Sequence, residues 1–328
     1  MKTLTPPISR TAKGHLRKVG VEIELAGMAS LDAARIVAQV FDGIPARVSA
    51  HRAEVTRTKW GTFRVELDTQ YAHPEKKGGA GPEGEPGSVS ISLETKAREW
   101  IGDVAMAVVP TEITCPPVPW DELHQLDRLV KALRDAGAKG TGDSVFYGFG
   151  LHLNPEVPDF SLRSICNHMK AYLLLSDWLR EKSMRDSTRE ILPHANPFPE
   201  SYRKKVLHPG YYPELNRMIA DYILDNPSRN RELDCYPLFA HLCPDYPHEI
   251  FRSRLIRPRP AFHYRLPDAN LSDPEWRIVR EWQRWLLVEH LAADEKKLAR
   301  ISSEYLQRAS SGRMDRWMEH FRTWMRDL

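Results

Sequence analysis

Cysteine is scarce in this chain. Its 328 residues include only Cys115, Cys166, Cys235 and Cys243, and no two form a CxxC pair. That excludes a disulfide scaffold and points to reduced thiols. Cys235, His241 and Cys243 lie near one another in sequence but fall short of the four paired ligands of a structural zinc site. Long apolar runs are missing too. Nothing reaches membrane-spanning length, and the first residues, MKTLTPPISR, hold no signal-peptide stretch, so a cytoplasmic protein is expected. No one sign of charge dominates. With 47 basic against 44 acidic residues the formal net charge is +3, too balanced to demand a polyanionic partner. The basic run FRSRLIRPR at 251–259 has no interleaved aromatics for base stacking and reads as a solvated connector.

Several catalytic signatures are also absent. The glycine-rich segment 73–87, HPEKKGGAGPEGEPG, lacks the GK[ST] ending of a phosphate-cradling loop and reads as a mobile surface insertion, bounded at about 70–88. There is no GxSxG and no HExxH, and no cysteine stands beside a candidate base. Nucleophilic and zincin-type catalysis therefore find no support.

What is present is a repeated pattern. Five predicted strands carry polar residues two positions apart: Glu22 and Glu24 in VGVEIEL, Glu66 and Asp68 in FRVELDTQY, Glu112 and Thr114 in VVPTEITCPP, His152 and Asn154 in FGLHLNP, and His263 and Arg265 in FHYRLPD. Positions i and i+2 of a strand share a face, roughly 6.6 Å apart, and the intervening residues are mostly apolar. One such pair is what any half-wet antiparallel sheet shows. Five together are another matter, because acids are poor strand formers and like charges on one face repel unless a cation sits between them. The set predicts a metal-capable acidic face, with Glu22, Glu24, Glu66, Asp68, Glu112, His152 and His263 as candidate ligands for magnesium or manganese. Basic residues come from the second half. Arg229, Asn230 and Arg231 follow an Asn-Pro turn, and Arg265 shares a strand with His263. A guanidinium grips phosphate in two places and stabilises charge on a transferring phosphoryl group, so Arg229, Arg231 and Arg265 are the catalytic candidates. Asn154, Asn230 and His263 join Arg265 on the cofactor side.

The organisation predicted is α+β, with strands early and helices late. A loose leader occupies 1–15. Strands follow at 17–25, 46–50, 53–58, 62–69, 107–114, 145–154 and 259–266. Helices are expected at 31–41, 90–104, 120–136, 161–182, 199–208, 214–225, 274–308 and 313–327. Pro116, Pro117 and Pro119 are expected to stop the fifth strand. A catalytic domain over 16–270 would then carry a helical extension at 271–328.

VGVEIEL, VVPTEITCPP, FGLHLNPE, DNPSRNRELD and FHYRLPD, in that order, resemble the amidoligase family of the carboxylate–amine ligase superfamily, alongside glutamine synthetase and glutamate–cysteine ligase. The resemblance spans about 18–268. It implies a curved, largely antiparallel sheet around an ATP and metal site, with helices on its outer face. It implies that ATP phosphorylates a substrate carboxylate and that an amine then displaces the phosphate. By the same resemblance Glu22 and Glu24 bind metal, Glu112 and His152 are metal ligands or nucleotide-site neighbours, and Arg265 stabilises phosphate. One departure is His263, which stands where the better-known ligases have glutamate and so removes a negative charge. The expected partners are a small-molecule or peptide carboxylate and an amine, with neither nucleic acid nor membrane; a homo-oligomer is open. Two rival readings use the same residues: a metal-dependent hydrolase or phosphatase, and a non-catalytic binding module.

Overall fold

A computed structural model describes residues 4–67, 109–141, 143, 149–183, 195–253, 255–311 and 317. Among these residues it is α+β, as expected: a six-stranded antiparallel sheet that does not close, with eight α-helices packed around it. The strands are β1 Lys18–Leu25, β2 Ile44–Ser49, β3 Arg52–Thr58, β4 Gly61–Leu67, β5 Thr111–Pro119 and β6 Leu151–Pro155, in the spatial order β2-β3-β4-β5-β1-β6. The helices are α1 Ser30–Phe41, α2 Leu126–Asp135, α3 Leu162–Ser183, α4 Glu200–Leu207, α5 Leu215–Asp225, α6 Tyr236–Leu242, α7 Ile278–Ala293 and α8 Glu295–Ser310. The expected glycine-rich loop and the helix at 90–104 lie outside the described residues, as does nearly all of the helix at 313–327.

The alternation in the strands becomes two faces. Val19, Val21, Ile23 and Leu25 of β1 are buried, together with Val55, Val65, Ile113, Leu151 and Leu153 from its neighbours. They share one continuous core with the helices. Helix α1 lays Ala33, Ala34, Val37 and Phe41 inward, and Phe41 stacks on Phe63 of β4 at 5.2 Å between ring centres. At the other end α3 and α7 close over the sheet, with Trp285 of α7 lying 5.4 Å from the Tyr264 ring and 5.5 Å from Phe262. Trp282 and Trp285 are thus packing anchors.

Several boundaries differ from expectation for physical reasons. The prolines do not end β5. Its pairing with β4 ends at Thr114, whereas its pairing with β1 continues to Pro119. Beyond Cys115 the strand has a single neighbour, and an edge tolerates residues without an N–H. The expected helix at 120–136 opens as a 3-10 turn, Trp120–Gln125, before α2 begins. The loop expected at 226–245 contains α6, whose Pro237 sits in the first turn where no N–H is required. The long helix at 274–308 is two helices, broken at Asp294, whose side chain accepts from the Lys297 N–H at 3.0 Å and caps α8.

The strand expected at 259–266 is a run of isolated bridges. Leu153 and Tyr264 exchange both backbone hydrogen bonds at 2.9 Å, placing the segment beside β6, and Leu233 bridges to Tyr264 on its far side. The described part of the expected loose leader, 4–15, and Arg17 just after it are tied to α7. Leu4 exchanges hydrogen bonds with Gln283, and Arg17 forms a two-pronged buried pair with Glu289 at 2.7 and 2.8 Å.

Candidate metal and anion site

The register of the sheet decides which polar residues meet. Glu22 of β1 stands opposite His152 of β6 on one side and Thr114 of β5 on the other. Glu24 pairs with Glu112, which pairs in turn with Glu66 of β4. Neighbouring strands lie about 4.8 Å apart, so Glu24, Glu112 and Glu66 form an acidic row across three strands. Past β6, the bridge between Leu153 and Tyr264 brings His263 and Arg265 onto the same face as His152 and Asn154.

Glu22 is the hub. Its Oε1 accepts from Asn154 Nδ2 at 3.0 Å and from Arg259 Nη1 at 2.8 Å, and its Oε2 lies 3.0 Å from His152 Nδ1. His263 Nε2 is 3.8 Å from the same Oε2, too long for a hydrogen bond. The two imidazole rings meet edge to face with centres 5.3 Å apart. One ligand atom from each of Glu22, His152 and His263 falls within 4.8 Å of the others, the spacing of a shared cation. Glu24 is fixed by the Gly150 N–H at 2.7 Å, and its Oε1 lies 3.6 Å from His152 Nε2.

Burial would raise the Glu22 carboxyl, but His152, His263 and the Arg259 charge overcome it and hold the group well below its ordinary value. His152 goes the other way for a base. Burial, helped by the Arg265 charge and only partly offset by Glu22, brings it down to about 3, so the ring is neutral at neutral pH. A neutral ring carries one N–H between two carboxylate contacts. Whichever nitrogen holds the proton, the other turns a lone pair toward a glutamate oxygen. Such a contact between acceptors is relieved by a cation.

Behind His263 stands Asp234. His263 Nδ1 is 3.3 Å from Asp234 Oδ2, which also accepts from Arg229 Nε at 2.9 Å. Burial opposes its charge, yet His263 and Arg229 bring the Asp234 carboxyl down to about 2.

The sequence candidates therefore divide. Glu22, Glu24, His152, Asn154, His263 and Arg265 gather at one place. Glu112 and Glu66 continue the row, with Glu112 accepting from Thr114 at 2.8 Å and Glu66 lying 3.8 Å from Arg52. Asp68 lies outside the described residues. Arg229 faces Asp234 and offers its backbone carbonyl to Arg265 Nη1 at 3.0 Å. Arg231 reaches the Pro197 and Asp225 carbonyls instead of the cluster, and Asn230 uses its carbonyl to hold the Asn196 N–H at 2.9 Å.

Two members were missed by sequence reasoning. Asp234 sits in ELD, which repeats the i, i+2 acidic spacing of the first strand, but no strand was expected there. Arg259 sits between prolines in the run read as a solvated connector. Its guanidinium bridges Glu22 and Asn154 Oδ1, each at 2.8 Å, while remaining 26% exposed.

These features define an α+β protein whose open antiparallel sheet presents an acidic and imidazole site rimmed by guanidinium groups. The sequence profile of the family described as "Putative amidoligase enzyme" matches residues 15–287. The chain belongs to that family, a ligase-type enzyme, and the matched span contains every residue of the cluster. No curated protein and no solved structure matches it. Among the described residues no helix is long and apolar enough to cross a membrane.

Proposed function

We propose that this chain is an ATP-dependent carboxylate–amine ligase on a glutamine synthetase-like catalytic sheet. The single observation that carries the reading is the convergence of Glu22, His152 and His263 on one sheet face in a member of the amidoligase family. The donor set suits a divalent cation. One carboxylate and two imidazoles can each offer a ligand atom, and Glu24 stands beside them. When bound, magnesium or manganese would neutralise phosphate charge.

The chain's own residues would do the positioning. Arg259, partly exposed beside Glu22, and Arg265, on the segment next to β6, would hold phosphoryl or carboxylate oxygens. In the reaction a carboxylate oxygen attacks the terminal phosphorus of ATP, and the bond to ADP breaks. The amine then attacks the activated carbonyl, the C–O bond to phosphate breaks, and the amine loses a proton as the amide forms. The carboxylate needs this activation because its own oxygen is a poor leaving group. Guanidinium groups held beside developing phosphate charge lower both barriers.

The test is direct. The purified chain is incubated with ATP, magnesium or manganese, and pools of amino acids, peptides and polyamines. ADP release that requires both a carboxylate and an amine, with a product lighter by one water than its summed parts, is expected. Metal-dependent phosphate release from phosphoesters without ATP would instead assign a hydrolase. An absence of ATP binding with excess metal would leave a binding module.

A further inference from the structure

The donor set carries the reading further than a divalent cation in general. Resting on the metal-assisted ligase above, we propose that this chain's cation is a first-row transition ion, which takes imidazole ligands more readily than magnesium does, and that Asp234 and Arg229 are positioning residues that present His263 to it. Magnesium takes oxygen ligands and sheds water reluctantly, whereas first-row transition ions accept imidazole readily. Two of the three converging side chains here are imidazoles, and the one carboxylate between them is shared with Arg259.

The second observation is how His263 is held. It is 3% exposed, and Nε2 is a buried atom with no hydrogen-bond partner among the described residues. Its other nitrogen faces Asp234 at 3.3 Å. Asp234 thus engages Nδ1 and leaves Nε2 as the nitrogen turned toward Glu22, the one free to ligate a cation there. Asp234 is in turn immobile. It is fully buried, Arg229 grips Oδ2 through Nε and Nη2 at 2.9 Å, and Oδ1 accepts the Tyr236 N–H at 3.1 Å. The Asp234 N–H donates to the His263 carbonyl at 2.9 Å, so the backbones themselves set the two side chains against each other. Arg229 is anchored at its far end to the Leu255 carbonyl. A carboxylate that orients a ligating histidine and fixes its tautomer typically changes metal affinity 10–100-fold when removed. Arg229, read from sequence as a catalytic group, acts here through Asp234.

The experiment uses the full chain stripped of metal, titrated calorimetrically with MnCl2, CoCl2 and MgCl2, with visible absorption for cobalt and electron spin-echo modulation for manganese. Cobalt and manganese should bind at least about tenfold tighter than magnesium, and the manganese echo should carry imidazole nitrogen modulation. His263→Ala should abolish cobalt binding, and Asp234→Asn should weaken it about 10–100-fold, with circular dichroism unchanged. Magnesium binding as tightly as cobalt, or a manganese echo without nitrogen modulation, overturns the proposal on wild-type protein alone, whether or not a variant folds. Unaltered cobalt affinity in a folded Asp234→Asn removes the positioning role. A chain that forms amide with magnesium and shows no transition-ion preference loses only this inference. One that binds cobalt through His263 yet never releases ADP loses only the ligase reading.

Discussion

Glu22→Gln separates the cation reading from a purely structural one. The glutamine keeps the shape and one oxygen, so Asn154 or Arg259 can still donate to it. It removes the charge on which His152, Asn154 and Arg259 converge. Breaking a fully buried ion pair costs about 3–5 kcal/mol, but Arg259 is 26% exposed and can rehydrate. The nearby Glu24 also loses a like-charged neighbour. The metal-free variant should therefore lose only about 1–3 kcal/mol. The response to metal should differ far more. A ligand at a hundred times its dissociation constant stabilises the native state by about 2.7 kcal/mol. For 328 residues the unfolding entropy is about 0.7 kcal/mol/K, so wild type should melt about 4 °C higher with manganese than without. Glu22→Gln should melt at the same temperature with and without it. Differential scanning fluorimetry across a manganese series reads both numbers. A variant that keeps the wild-type shift refutes the assignment of Glu22 as a ligand.

Three further outcomes follow from the geometry. Glu289→Ala should destabilise the fold by about 3–5 kcal/mol in urea, because it strands the Arg17 guanidinium in the core, whereas breaking the exposed Arg35–Asp32 pair should cost under about 1 kcal/mol. His152 is depressed to about 3 from about 6.5 in the unfolded chain, so its contribution to stability is full above pH 6.5 and is lost progressively as pH falls toward 3. Urea midpoints of the metal-free protein should consequently drop more between pH 7 and 5 in wild type than in His152→Asn; parallel pH profiles would place the ring in water. Asp127 of α2 accepts the Ile278 N–H at 2.7 Å, so Asp127→Ala should cost about 1 kcal/mol by uncapping α7. Burial raises that carboxyl, so Asp127→Asn, which keeps an acceptor without a charge, should cost less in the same denaturation assay.

The candidate site was legible in sequence wherever it lies on regular strands. Glu22, Glu24, His152 and Asn154 could be read because Val21, Ile23, Leu151 and Leu153 alternate with them and leave a single face for the polar set. His263 and Arg265 were legible for the same reason, although their segment forms only bridges. Helices α1, α3, α4 and α5 fall close to their expected bounds because their apolar spacing survives packing. What period reasoning could not see depends on the third dimension. The prolines of β5 are tolerated because β1 stays paired beside them after the pairing with β4 has ended, which local propensity does not show. Asp294 splits a helix by capping the next one, a choice local propensity leaves open. Asp234 and Arg259 reach the site from irregular backbone, where no period applies. The sequence pattern Arg-Asn-Arg suggested one cationic unit, yet Arg229 and Arg231 point to different partners, since consecutive residues of an irregular loop share no common face.

The arrangement also changes why a cation would be needed. From sequence, a cation was the expected relief for repulsion among the clustered acids. The structure supplies arginines instead: Arg259 on Glu22, Arg229 on Asp234, Arg180 on Glu232 at 2.5 Å, and Arg52 on Glu54 at 2.6 Å and near Glu66. Each of these carboxylates has a guanidinium partner within the protein. Between these pairs, the ring nitrogens of His152 and His263 remain turned toward Glu22 Oε2. A cation held between Glu22 Oε2 and the two imidazoles must also share that carboxylate with Arg259, which holds Oε1. Occupancy of the two is therefore linked, and whatever draws Arg259 away, such as a phosphate oxygen, strengthens the hold of Glu22 on the ion by the same free energy.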